Sequence, residues 1–193
     1  MSIQHFFYFS FLIAAIIGCQ GAKAQNVLDS LKADKIAELA ADSKGYIRHI
    51  GDEAPDFFAN LTTGDSLHLR DLRGKIVVLQ FTASWCGVCR KEMPELEMRL
   101  WQKYKDQNFV LIGIDRDEPL EKVLSFINQT GITYPMALDP GAEIFSLFAH
   151  KEAGVTRNVV IDKEGKIAYL TRLYNEIEFT NMIAVIEALI SQK

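Results

Sequence analysis

Ile76-Val77-Val78-Leu79-Gln80-Phe81-Thr82-Ala83-Ser84-Trp85-Cys86-Gly87-Val88-Cys89-Arg90 joins a β-branched, aromatic run to the start of a helical pattern. This junction decides the fold. Ile76 to Phe81 reads as a buried strand, introduced by Arg73-Gly74-Lys75. Met93, Leu96, Leu100 and Tyr104 then recur at helical spacing and predict a helix from about Cys86 to Asp106. Pro94 lies inside it and, donating no backbone hydrogen bond, is expected to kink it. Cys86 falls in the first turn, where unpaired N–H groups and the positive dipole end favour a thiolate. Cys89, three positions on, lies on the same side and within reach of a disulfide. Such a pair implies exchange chemistry. Cys86 thiolate attacks a substrate disulfide, and Cys89 then attacks Cys86 and releases the reduced substrate.

Outward from this junction, Phe109 to Ile114 predicts a second buried strand. Glu118 to Thr130 predicts a helix with Val123, Leu124, Phe126 and Ile127 on its apolar side. Tyr134 to Leu138 reads as a short strand and Ala142 to Ala149 as a short helix. Val159-Val160-Ile161, the turn Asp162-Lys163-Glu164-Gly165 and Lys166 to Thr171 predict a hairpin. The final helix, Glu176 to Ser191, carries Phe179, Met182, Ile183, Ile186, Leu189 and Ile190 on one face. Upstream, Phe57-Phe58 and Leu67-His68-Leu69 flank Thr63-Gly64-Asp65, which predicts another hairpin. Alternating strands and helices imply an α/β fold, a central sheet with helices on both faces.

Of the 193 residues, 49% are hydrophobic and 24% charged, which excludes collagen, low-complexity disorder and a polytopic membrane protein. Net charge is −4, and no basic run exceeds Arg90-Lys91, so no nucleic-acid partner is expected. The N-terminal run Phe6 to Ile17 (FFYFSFLIAAII) is shorter than the ~20 residues of a spanning helix and reads as a signal-peptide core. Two processing routes follow. Cleavage after Ala22-Lys23-Ala24 makes residues 1–24 a signal peptide. Alternatively Ile16-Ile17-Gly18-Cys19 acts as a lipobox and Cys19 carries a lipid anchor, the one expected membrane contact. Residues 25–50 read as a helical spacer and 51–193 as the domain. Export to the periplasm or cell envelope leaves Cys86 and Cys89 as one close pair in an oxidising compartment, which favours a redox role over reinforcement.

The chain resembles the TlpA/ResA-type thiol-disulfide oxidoreductases of the thioredoxin-fold superfamily. The resemblance is carried by Gly51-Asp52-x-Ala54-Pro55-x-Phe57, Leu72-x-Gly74-Lys75, Trp85-Cys86-x-x-Cys89, Lys91-Glu92-x-Pro94, Gly154-Val155 and Val160-Ile161-Asp162-x-x-Gly165. It implies a thioredoxin fold with an N-terminal hairpin and a central insertion within Glu118–Ala149. It also implies an exposed Cys86, a shielded Cys89, and no cofactor beyond the redox-active disulfide. Catalysis falls to Cys86 and Cys89, with Trp85, Gly87, Val88, Glu92 and Pro94 in support. Trp85 would shield the pair and offer substrate a flat surface. A buried Glu92 would have a raised pKa and take the Cys89 proton; the bland alternative is a solvated carboxylate like Glu95 or Glu97. Gln80 stands where thioredoxin has a buried Asp and is expected to bond to backbone.

One position departs from the family. The cis-proline facing the cysteines is replaced by Thr156, in the loop Val155-Thr156 expected to face substrate. A cis bond before a non-proline costs ~3–4 kcal/mol. Either a strained cis bond is kept, or the loop is remodelled in trans, or Thr156 is tolerated on the same path. Asp115-Arg116-Asp117-Glu118 reads as solvated turn.

The resemblance favours a reductant of envelope protein thiols, in cytochrome c maturation or general thiol maintenance, re-reduced by a membrane electron donor. An isomerase or oxidant is the alternative, since Gly87-Val88 matches neither extreme of the superfamily. A non-catalytic module holding a metal, a cluster or a protein through the thiols is a third reading. Zinc lacks ligands, because the chain has no second cysteine pair and scattered histidines. A peroxidase lacks its motif: position 79 is Leu, and Thr82 stands four residues before Cys86.

Overall fold

The computed structural model describes residues 44–192. In order, these form β1 (Phe58–Leu61), β2 (Ser66–His68), β3 (Ile76–Thr82), α1 (Gly87–Leu96), β4 (Phe109–Arg116), α2 (Leu120–Thr130), β5 (Met136–Asp139), β6 (Arg157–Ile161), β7 (Ile167–Arg172) and α3 (Glu176–Ser191). The leader, Cys19 and the spacer up to residue 43 lie outside the described residues. Among the described residues no helix is long and apolar enough to cross a membrane.

The strands make one mixed sheet, ordered β2-β1-β5-β4-β3-β6-β7. β3 pairs in parallel with β4 and antiparallel with β6, so its hydrogen bonds are taken on both edges. All seven of its residues are buried, which explains an apolar run without polar alternation. Its side chains alternate between two layers. Gln80 and Thr82 reach Glu92 and Met93 of α1, while Phe81 packs on Phe145 and Phe148 on the opposite face. Both α2 and α3 touch α1 or its continuation: Arg90 bonds Gln129, and Arg99, just past α1, bonds Glu176.

Several boundaries differ from expectation for local reasons. α2 begins at Leu120 rather than Glu118, because Pro119 takes the N-cap position in an extended conformation and keeps its predecessor out of the helix. Leu124 is exposed; only Val123 and Phe126 of that helix are fully buried. The helix expected over Ala142–Ala149 is instead two 3-10 turns, Pro140–Ala142 and Phe145–Leu147. Gly141 and Ala142 both take positive φ, and the Asp139 carboxylate accepts the N–H groups of Ile144 and Phe145, so a continuous helix cannot form. Pro94 sits within α1 without ending it. A π turn over Glu97–Trp101 follows, and α geometry resumes at Gln102–Tyr104. Residues 44–50, in the stretch read as spacer, pack on the domain. Tyr46 is buried, bridges to Ala149 and donates its hydroxyl to the Thr171 carbonyl.

Gly113 lies in the sheet interior, on β4 opposite Met136 of the parallel neighbour β5. A Cβ there would meet the Met136 sulfur at 2.0 Å and the Tyr134 ring at 3.3 Å. Gly113→Ala therefore overpacks the sheet and lowers unfolding free energy by about 1–3 kcal/mol, readable as a shifted urea midpoint with unchanged slope.

Candidate active site

The two cysteines lie where β3 hands over to α1. Cys86 is the N-cap of α1, in extended conformation, and its sulfur accepts the Cys89 N–H at 3.1 Å. The pair is joined as a disulfide, with Cα atoms 5.3 Å apart. Cys86 Sγ thus stands at the positive end of a helix with one amide donor already aimed at it, an arrangement that favours a thiolate once the bond is reduced. Cys89 is fully buried and Cys86 keeps 7% of its surface, so Cys86 is the more accessible sulfur but far less open than expected.

The cover over the sulfurs is the loop leading into β6. No cis peptide occurs among the described residues, so the Val155–Thr156 bond is trans and the strained-cis alternative falls. Val155 and Thr156 are buried at 5% and 0% exposure, and Thr156 points inward. Its hydroxyl lies 3.2 Å from Cys86 Sγ and 3.0 Å from Cys89 Sγ. Its carbonyl already accepts the Leu173 N–H. At Thr156 the loop expected to face substrate thus has its backbone carbonyl occupied within the fold.

Below the cysteines, Glu92 is buried and faces the sheet. Gln80 Nε2 donates to its Oε2 at 3.0 Å, and Asn158 Nδ2 donates to its Oε1 at 2.7 Å. Gln80 and Asn158 are cross-strand neighbours on β3 and β6, which brings both amides to one carboxylate. Burial pushes the Glu92 carboxyl up to about 7, against the two amide bonds that hold it down. The network continues: Tyr134 donates its hydroxyl to Gln80 Oε1, and Asn158 also bonds Thr171 Oγ1. Gln80 is thus satisfied by side chains, not by backbone as expected. Glu92 lies in α1, the helix that carries Cys89 and is capped by Cys86.

Comparison with known proteins agrees with this geometry. The family model described as the AhpC/TSA family matches residues 50–170. The chain belongs to the AhpC/TSA family. Within it, the chain is a thioredoxin-fold protein of the ResA type. It is 38% identical over 118 residues to the thiol-disulfide oxidoreductase ResA of Bacillus anthracis, a match that covers 61% of this chain and 66% of that protein, just under two thirds. A solution structure of a candidate protein disulfide isomerase from Bacteroides thetaiotaomicron is 60% identical. Its TM-score is 0.75, with 77% of this chain and 94% of that one covered. A candidate thiol:disulfide interchange protein DsbE from Chlorobium tepidum is 28% identical, with TM-score 0.66 and 74% and 98% covered.

Around the pair of this AhpC/TSA-family chain, the structure uses residues the sequence reading set aside. Glu118, read as solvated turn, is nearly buried and accepts both the N–H and the hydroxyl of Ser84. Arg90 closes the other side, donating through Nε and Nη2 to the Ser84 carbonyl and lying over the Phe126 ring. The loop before Cys86 is therefore clamped on every polar group of Ser84. Asp115, in the same supposed turn, is fully buried beside Thr82; burial, with the Glu118 and Asp139 charges, raises its carboxyl to about 7. Trp85, beside Cys86, is 65% exposed. Gly87 is exposed and Val88 half-buried against the core. Thr82 bonds the Met93 sulfur rather than Cys86, so the threonine needed by a peroxidase reading is turned away from the nucleophile. Among the described residues no group of three or more His, Cys, Asp or Glu side chains is placed to hold a metal.

Proposed function

We propose that the chain is a thiol-disulfide oxidoreductase that acts on protein substrates, exported to the cell envelope and working as a reductant. The observation that carries this reading is the Cys86–Cys89 disulfide at the helix N-cap, above a buried carboxyl that titrates near 7. In the reducing direction, Cys86 thiolate attacks one sulfur of a substrate disulfide. A mixed disulfide forms, and the first substrate thiolate leaves. Glu92 carboxylate takes the Cys89 proton, Cys89 attacks Cys86 Sγ, and the second substrate thiolate leaves and is protonated. The enzyme pair is oxidised by two electrons and the substrate disulfide becomes two thiols. A membrane electron donor then restores the dithiol. Service in cytochrome c maturation or general thiol maintenance, and anchoring through Cys19 or release after Ala24, belong to the same proposal. It draws support from the apolar leader and from the relatives named thiol-disulfide oxidoreductases.

Equilibration of the purified protein with graded thiol/disulfide buffers, followed by trapping of the Cys86/Cys89 state, tests the direction. The reductant reading expects a potential near or below ~−270 mV. A potential between ~−180 and ~−120 mV overturns it in favour of isomerase or oxidant work.

A further inference from the structure

Thr156 presents a buried hydroxyl whose neighbours are the two reacting sulfurs, 3.2 Å from Cys86 and 3.0 Å from Cys89. A buried hydroxyl needs a good partner, and a disulfide sulfur is a poor one. A thiolate is a strong acceptor, and hydrogen bonds to charged groups are the stronger kind. The hydroxyl is therefore underused in the oxidised pair and well used in the reduced one. We propose that Thr156 is a catalytic residue of disulfide exchange: its hydroxyl donates to the sulfur that carries the thiolate and accepts from the thiol of the other. This deepens the exchange function proposed above and rests on it.

One hydroxyl proton and two oxygen lone pairs suffice for both bonds at once. In the dithiol form Cys89 S–H donates to Thr156 Oγ1, and Thr156 O–H donates to Cys86 thiolate, beside the bond that Cys86 already receives from the Cys89 N–H. When Cys89 gives up its proton and attacks, the hydroxyl turns to the newly charged sulfur, and no proton is gained or lost at Thr156. The inward position of Thr156 is enforced by the loop, since its own carbonyl is tied to Leu173 and Val155 beside it is buried. Because the bond favours thiolate over disulfide, it shifts the equilibrium toward the reduced pair.

The test compares wild type with Thr156→Val, which keeps shape and loses the hydroxyl, and Thr156→Ser, which keeps the hydroxyl. Two readouts are independent of any protein substrate: the pH profile of Cys86 alkylation by iodoacetamide, and the equilibrium with glutathione. For Thr156→Val the alkylation midpoint rises by about one pH unit. Well below both midpoints the thiolate fraction then falls about tenfold, while the more basic thiolate is about threefold more nucleophilic, so the rate falls about threefold. The reduced form becomes about tenfold less favoured, about 30 mV more negative for a two-electron couple. Thr156→Ser stays within twofold of wild type in both. Should the Val variant not fold, Thr156→Ala carries the same expectation without added bulk. Variants without the hydroxyl that stay within twofold of wild type overturn the proposal, as do Ser and Val variants that shift together, which marks a packing effect. A wild-type pair that fails to equilibrate with glutathione overturns the exchange reading itself. A wild type that equilibrates beside an unmoved Val variant removes only the role of Thr156.

Discussion

Cys86→Ser takes disulfide exchange to background, a loss of about 10³-fold or more, because the attacking sulfur is gone and Cys89, the other thiol among the described residues, is fully buried. Cys89→Ser gives a different product. Cys86 keeps its N-cap position and its place at the helix dipole, so the first attack proceeds, but nothing resolves the mixed disulfide. Mass spectrometry of the Cys89→Ser protein after incubation with a disulfide-bonded substrate is expected to show a stoichiometric adduct on Cys86 that a strong reductant removes. An unadducted Cys89→Ser protein, or a Cys86→Ser protein that still turns over, would show that the order of attack is not Cys86 first. Burial supports the order, since Cys89 has no exposed surface from which to meet a substrate.

Glu92→Gln is expected to slow the resolving step about 10²-fold and to remove an inflection near pH 7 from its rate profile, since a general acid-base group contributes roughly 10²–10⁴-fold. The same substitution leaves a mark on stability. The Glu92 carboxyl sits near 4.5 in the unfolded chain and about 7 in the folded one, so between these values the folded state binds the extra proton. Stability is therefore highest below about pH 4.5 as far as this group is concerned, and falls as pH rises through about 7, by on the order of 3 kcal/mol. Asp115 acts in the same direction and window, from 3.8 to about 7. Urea unfolding at pH 5 and pH 8 is expected to show a smaller fall for Glu92→Gln than for wild type, with the Asp115 share remaining. Parallel behaviour of the two proteins would mean that Glu92 is already ionised, or already solvated, across that range. The substituted side chain would also set an amide donor against the amides of Gln80 and Asn158, so a loss of stability at low pH accompanies the change.

The elements around the cysteines were legible because their signals are local. A run such as Ile76–Thr82, buried on both faces, has no polar alternation to disguise it, and the spacing of Met93, Leu96, Leu100 and Tyr104 follows one face of one helix. The misread elements were those shaped by a distant side chain or by strained backbone. The 3-10 turns after β5 depend on Asp139 and on positive φ at Gly141 and Ala142, which composition does not announce. Glu118 and Asp115 looked like turn residues because acidic residues after a strand usually are. Their burial comes from Ser84, more than thirty residues earlier, and from β3, which pairs alongside.

The sequence by itself determined the chemistry and where it resides. A Cys-x-x-Cys between a buried strand and a helix has few uses, and helix geometry alone brings the two sulfurs together at a positive helix end. It also singled out Glu92 and the substitution at Thr156. What the sequence could not contain was the company these residues keep. Gln80, Asn158 and Tyr134 meet around Glu92 only because β3 and β6 lie side by side with Gln80 opposite Asn158. Thr156 stands against both sulfurs only because β6 approaches from the far end of the chain. Reactivity is a property of residue type and local helix position, whereas the protonation and hydrogen bonding that tune it are set by strand pairing across many tens of residues, which no local pattern encodes.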